Sequence, residues 1–157
     1  MISRRLFLFA PLMVCITVLS SCSALRVLTH STTTDPSQLA TGDYRIDPDH
    51  VFVTFKIDHF GFANYVGRFN KVDGALEFDA EAPDKSALTV VIAAASVDTS
   101  NKFVDTQLKG SSFFDVENFP EIKFVSTNIK PNGTEKARVT GDLTLVGAKS
   151  PAVLNIT

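Results

Sequence analysis

Cysteine is nearly absent. Only Cys15 and Cys22 occur in 157 residues. Everything after position 22 therefore lacks a disulfide, a cysteine nucleophile and a thiolate metal site. Tryptophan is missing, and histidine is limited to His30, His50 and His59. His50 and His59 lie nine apart, with no motif joining them to a third ligand, so no metal site is expected. Basic charge is not in excess: 15 Lys and Arg face 17 Asp and Glu, a net charge of −2. That balance gives no footprint for nucleic acid. No nucleophile elbow, phosphate-cradling glycine loop or dinucleotide fingerprint is present. The carboxylates Asp47, Asp49, Asp58, Asp98, Asp105, Asp115 and Glu117 fall at strand ends or in a helical connection. They read as turn and cap residues rather than an acid–base pair. No catalytic residue and no cofactor is expected, and the chain is not read as an enzyme.

What is present begins at the N-terminus. Arg4 and Arg5 precede an uncharged run from Leu6 to Leu19, apolar apart from Thr17. This is the form of a secretory signal peptide, and it is shorter than the roughly 20 residues a membrane-spanning helix needs. Leu19-Ser20-Ser21-Cys22 resembles the lipobox of bacterial lipoproteins, which implies cleavage after residue 21 and acylation of Cys22. Acyl chains contribute about 0.8 kcal/mol per buried CH₂, so several chains hold a protein at a membrane. Ser23 follows the cysteine. By the same resemblance, the lack of an aspartate there favours the outer membrane, with the chain facing the periplasm. Residues 22–42, rich in Ser and Thr, read as a flexible tether. Residues 43–157 form one folded domain.

From Tyr44 onward the apolar pattern has period two. Val51, Val53, Phe55 and Ile57 alternate with Thr54, Lys56 and Asp58, as in a half-buried strand. A second strand spans Tyr65 to Asp79 with apolar Val72, Leu76 and Phe78, and Gly67 and Gly74 inside it suggest bends. A turn at Ala82 to Lys85 precedes a third strand, Ala87 to Val97, apolar on both faces. One short helix follows, capped by Thr99 or Ser100, with Phe103, Val104 and Leu108 on one face and Gly110 as its stop. A further helical turn is expected at Ser112 to Val116. Strands at Glu121 to Lys130 and Lys136 to Val146, and a sixth from about Pro151, complete the pattern. Six short strands separated by turn signals predict an all-β antiparallel barrel or sandwich.

Several ordered segments carry a more specific likeness. They are Tyr44-Arg45-Ile46-Asp47-Pro48-Asp49-His50, His59 with Gly67-Arg68-Phe69, Ser96-Val97-Asp98-Thr99, Leu108-Lys109-Gly110, Phe113 to Phe124 with Ser126-Thr127, and Gly141 to Leu145 with Gly147. In this order the chain resembles the YceI-like family, across Tyr44 to Thr157. The resemblance implies a lipocalin-like barrel that binds polyisoprenoid or related lipid chains. Tyr44 stands where the family often has Trp, and Val51 where it often has Ser. Family members usually continue into further strands. A closed small barrel has about eight, so an incomplete barrel of about six strands, lacking its C-terminal strands, is expected here. Its open edge invites pairing with a second copy.

The interior is the natural site, because a long hydrocarbon needs a concave, mostly apolar wall. Of 13 phenylalanines, only Phe7 and Phe9 fall in the leader, and phenylalanine lines a dry cavity without an unpaired polar atom. Alternation together with the resemblance gives the lipid-facing candidates Val53, Phe55, Ile57, Phe69, Leu76, Phe78, Phe113, Phe114, Ile122, Phe124, Leu143 and Leu145. His59 is added at the mouth, where it can hydrogen-bond a polar head group. The expected ligand is an isoprenoid, a quinone or a fatty amide. The alternative is an envelope interaction or structural lipoprotein whose core these same side chains fill.

Overall fold

Alternating β-branched and aromatic residues build nine strands and one helix in the computed structural model, which describes residues 39–133 and 136–157. The leader, Cys22, His30 and most of the tether lie outside the described residues. The strands are β1 (Gly42–Arg45), β2 (Val53–His59), β3 (Ala63–Phe69), β4 (Val72–Phe78), β5 (Ala87–Ala93), β6 (Val97–Asp98), β7 (Glu121–Pro131), β8 (Ala137–Leu145) and β9 (Ala148–Ile156). The helix α1 spans Lys102–Lys109. Six strands form one antiparallel sheet in the order β1-β4-β5-β7-β8-β9, and β2-β3-β6 form a smaller one.

The two sheets are one bent surface. The second strand expected from sequence is present but breaks at Asn70-Lys71 into β3 and β4. The third breaks at a 3-10 turn, Ala94–Ser96, into β5 and β6. Accordingly β1 pairs with β4 while β2 pairs with β3. Ser96 holds the two bends together. Its carbonyl accepts the Asn70 N–H at 3.1 Å. Its hydroxyl accepts the Lys71 N–H at 3.0 Å and donates to the Ala93 carbonyl at 2.7 Å. Backbone groups released by the bends thus find partners, which an interior requires. The barrel is not closed, because β9 and β2 have no further strand beside them among the described residues.

Gly67 and Gly74 do not make the bend that sequence placed on them. They lie on either side of it and make room. A Cβ at Gly67 would enter the Phe55 ring, and one at Gly74 would sit 2.5 Å from Ile46 Cδ1. The sixth strand starts at Ala148 rather than near Pro151. Val146 and Gly147 form a two-residue turn with φ of 48° and 71°, the primed form that suits a tight hairpin.

The helix is capped by Asn101, not by Thr99 or Ser100. The Asn101 side chain accepts the N–H groups of Phe103 and Val104. Ser100 has φ of 61°, whereas a capping residue has extended backbone. Thr99 instead donates its hydroxyl and N–H to Asp105 Oδ1, each at 2.7 Å. Leu108 packs on the core and Val104 is half-buried, but Phe103 is 72% exposed and leaves their face. The segment after α1 forms turns, not a further helix.

Replacing Ser96 with Ala leaves the Lys71 N–H without its partner at the bend. We expect a loss of about 0.5–1.5 kcal/mol, read as a lower denaturant midpoint at unchanged slope.

Candidate functional site

Cross-strand partners share a face of a sheet, so register fixes which side chains line the concave side. On β2 they are Val53, Phe55, Ile57 and His59. On β5 they are Leu88, Val90 and Ile92, because Val90 pairs with Phe124 and Ile92 with Ile122. On β9 they are Ala152, Leu154 and Ile156, opposite Gly141, Val139 and Ala137.

These side chains gather into two clusters. The first centres on Phe69, Ala94, Val97 and Ile122, with Val53, Phe55, Ile92, Leu108, Phe114 and Val116 around them. Aromatic edges bind it, with Phe69 5.5 Å from Phe55 and 5.4 Å from Phe114 between ring centres. The second centres on Phe124, Ile129 and Val139, with Leu76, Leu88, Val90, Ala137 and Ala152 around them. Leu143 touches both. Val139 has no exposed surface and Phe124 only 4%. The Phe124 ring occupies the space over Gly141, where a Cβ would overlap that ring and the Val125 carbonyl. A side-chain-free position thus lets a large aromatic lie flat against the sheet.

Of the candidates named from sequence, Val53, Phe55, Phe69, Leu76, Phe114, Ile122, Phe124 and Leu143 meet in these clusters. Phe78 is half-buried, edge-on to Tyr44 at 6.4 Å. Ile57 and Leu145 continue the inner rows but remain 52% and 37% exposed. His59 ends the β2 row, exposed, with its ring 4.8 Å from Phe60. Phe113 is 54% exposed in the turn after α1 and joins neither cluster, so its inward placement is corrected.

Sequence reasoning missed Ile129. Inner positions on β7 are even up to Phe124, but the register shifts between Ser126 and Asn128. The extra residue of this bulge moves the inner row to odd numbers. Leu88, Val90 and Ile92 were missed because β5 is apolar on both faces, so alternation carried no signal there.

A polar network lies on the outer face of β3 and β6, where Arg68 pairs with Asp98. Asp98 accepts the Ser100 N–H at 2.9 Å, the Asn70 amide at 3.1 Å and the Arg68 guanidinium at 3.2 Å. The Ser100 N–H most of all, then Asn70 and Arg68, hold its pKa below the ordinary 3.8. His50 pairs with Asp47 at 2.6 Å in an exposed turn. Among the described residues, no three His, Cys, Asp or Glu side chains cluster to hold a metal ion.

The YceI-like domain family matches residues 44–157. The chain belongs to the YceI-like family. A UPF0312 protein of Pseudomonas savastanoi is 42% identical over 122 residues, covering 76% of this chain and 64% of the relative. A UPF0312 protein of Photorhabdus laumondii is 40% identical over 121 residues, covering 76% and 62%. The chain thus spans less than two thirds of the length of these YceI-like relatives. Among solved structures, Burkholderia cenocepacia BcnA superposes with a TM-score of 0.61 at 27% identity, covering 68% of this chain and 65% of BcnA. The Campylobacter jejuni YceI protein gives 0.54 at 32% identity, covering 71% and 66%. The antiparallel lipocalin-like architecture expected of a YceI-like chain is the one observed.

Two outcomes follow. Gly141→Ala drives a methyl into Phe124 and the Val125 carbonyl, and overpacking of this kind costs about 1–3 kcal/mol. Denaturant unfolding reads it. Asp98 has a depressed folded pKa, so its contribution is present above its unfolded pKa and is lost as pH falls through the lower folded value. Wild type therefore exceeds Asp98→Asn in thermal midpoint at pH 6, and the gap narrows as pH drops below 3.8.

Proposed function

We propose that the chain binds the hydrocarbon chain of an isoprenoid or other long-chain lipid against its concave face, tethered to the bacterial envelope through acylated Cys22. The observation that carries this is uncovered apolar surface on the inner side. Ile57, Leu145, Leu154 and Ile156 continue the inner rows beyond the packed clusters and are 37–52% exposed. Leu154 and Ile156 adjoin in one row on β9, and Ile57 and Leu145 lie toward the ends of the inner rows of β2 and β8. Large apolar side chains left in water on the inner face, next to a packed apolar wall, suit a hydrocarbon ligand. A hydrocarbon laid there leaves water at about 25 cal/mol per Å² of buried apolar area. Binding of this kind is partition rather than chemistry, and the chain acts as a carrier or sensor, not a catalyst. The outer membrane, with the domain facing the periplasm, is the proposed location. The closely filled second cluster, with Phe124 over Gly141, favours an alternative in which the core is complete and the protein works through its surface.

Native mass spectrometry of the chain purified from bacterial membranes separates the two. The expected spectrum shows a diacyl or triacyl mass on Cys22 and a non-covalent lipid adduct that leaves on activation. Folded protein free of adduct in every preparation supports the filled core and overturns the carrier reading.

A further inference from the structure

The hairpin joining β2 to β3 ends in the most exposed aromatics of the domain. Phe60 is 83% and Phe62 92% exposed. The turn around them is constrained. The Phe62 N–H donates to the His59 carbonyl at 3.1 Å, and the central residues Phe60 and Gly61 have φ of 56° and 74°. A primed turn prefers Asn, Asp or Gly at its first central position, and a bulky side chain in the left-handed region is an outlier. Backbone strain kept at an exposed tip points to a use for the side chain there. Asp58 is the one carboxylate from Val53 to Phe69. Its Oδ1 accepts the Gly61 N–H at 2.5 Å, so it turns back into the loop. Lys56 stands on the outer side of the same strand, and Tyr65 lies near the tip, 37% exposed.

We propose that this tip is a membrane-docking element, with Phe60 and Phe62 entering the acyl boundary of a lipid bilayer. Area decides against a protein partner. Two phenylalanines present about 300–500 Å², whereas a stable complex buries about 800 Å² on each side. The same two rings suffice as an interfacial anchor. Phenylalanine has no polar atom to desolvate, tyrosine suits the headgroup level, and lysine favours anionic lipid. The inference goes beyond the tethering proposed above: a tether fixes distance from the membrane, whereas a docked tip fixes orientation.

The absence of tryptophan makes the test clean. The full-length chain carrying Phe62→Trp is mixed with vesicles of phosphatidylcholine and phosphatidylglycerol brominated on their acyl chains. The expected result is co-sedimentation, a blue shift and quenching of about twofold or more. Phe103→Trp, on the exposed face of α1, stays unquenched on the same vesicles. Phe60→Trp repeats the measurement should Phe62→Trp fail to fold. Failure to co-sediment, equal quenching at the tip and at position 103, or no quenching at the tip overturns the proposal. So does a blue shift without vesicles that grows with protein concentration, since the occupant is then a second copy.

Discussion

A β-sheet gathers its apolar side chains into one enclosure only by bending, and bending strips hydrogen-bond partners from the backbone at the corner. Here one serine answers both needs. Ser96 serves the Asn70 and Lys71 N–H groups on one arm and the Ala93 carbonyl on the other. Together with the Ala93 N–H to Lys71 carbonyl and Ala94 N–H to Pro120 carbonyl bonds, these contacts satisfy the backbone at the corner, across which Val53 and Phe55 of β2 pack toward Ile122 of β7. The two clusters, and any ligand surface beside them, depend on that corner.

Packing follows from what the corner allows. Rings enter the inner face where the facing strand offers glycine: Phe55 over Gly67, and Phe124 over Gly141. Protein interiors are close-packed, so an added methyl at such a seat is felt at once. Toward β9 and the far end of β2 the same inner rows lose their cover. The contrast between fully buried Val139 and half-exposed Ile156, cross-strand from Ala137 on the same face, marks where the chain stops filling its own interior. That gradient is the physical basis for assigning a hydrophobic ligand to the uncovered part.

Much of this was legible beforehand. The period-two pattern located all six expected strands, and it placed Val53, Phe55, Leu76, Phe124 and Leu143 inside. The failures have separate causes. The bulge at Thr127 shifts parity by one residue, so Ile129 moves inward against the count. Val90 and Ile92 lie on a strand apolar on both faces, where only pairing with Phe124 and Ile122 tells the sides apart. Phe113 and Phe114 are chain neighbours outside any strand, and a composition argument takes both inward although only Phe114 meets Phe69. Asn101 caps the helix because Ser100 occupies the left-handed region, a backbone state that residue type alone does not announce.

Residue order by itself determined the class of structure: strands of alternating character, one short helix, no thiol beyond position 22 and a family likeness from Tyr44 to the end. These are local properties, set by side-chain periodicity, turn residues and composition. The tertiary structure alone decided where the strands break, which glycines receive a ring, and where apolar inner surface is left in water. Those outcomes depend on which residue lies across the sheet, and a partner 12 to 36 positions away leaves no mark in the local pattern.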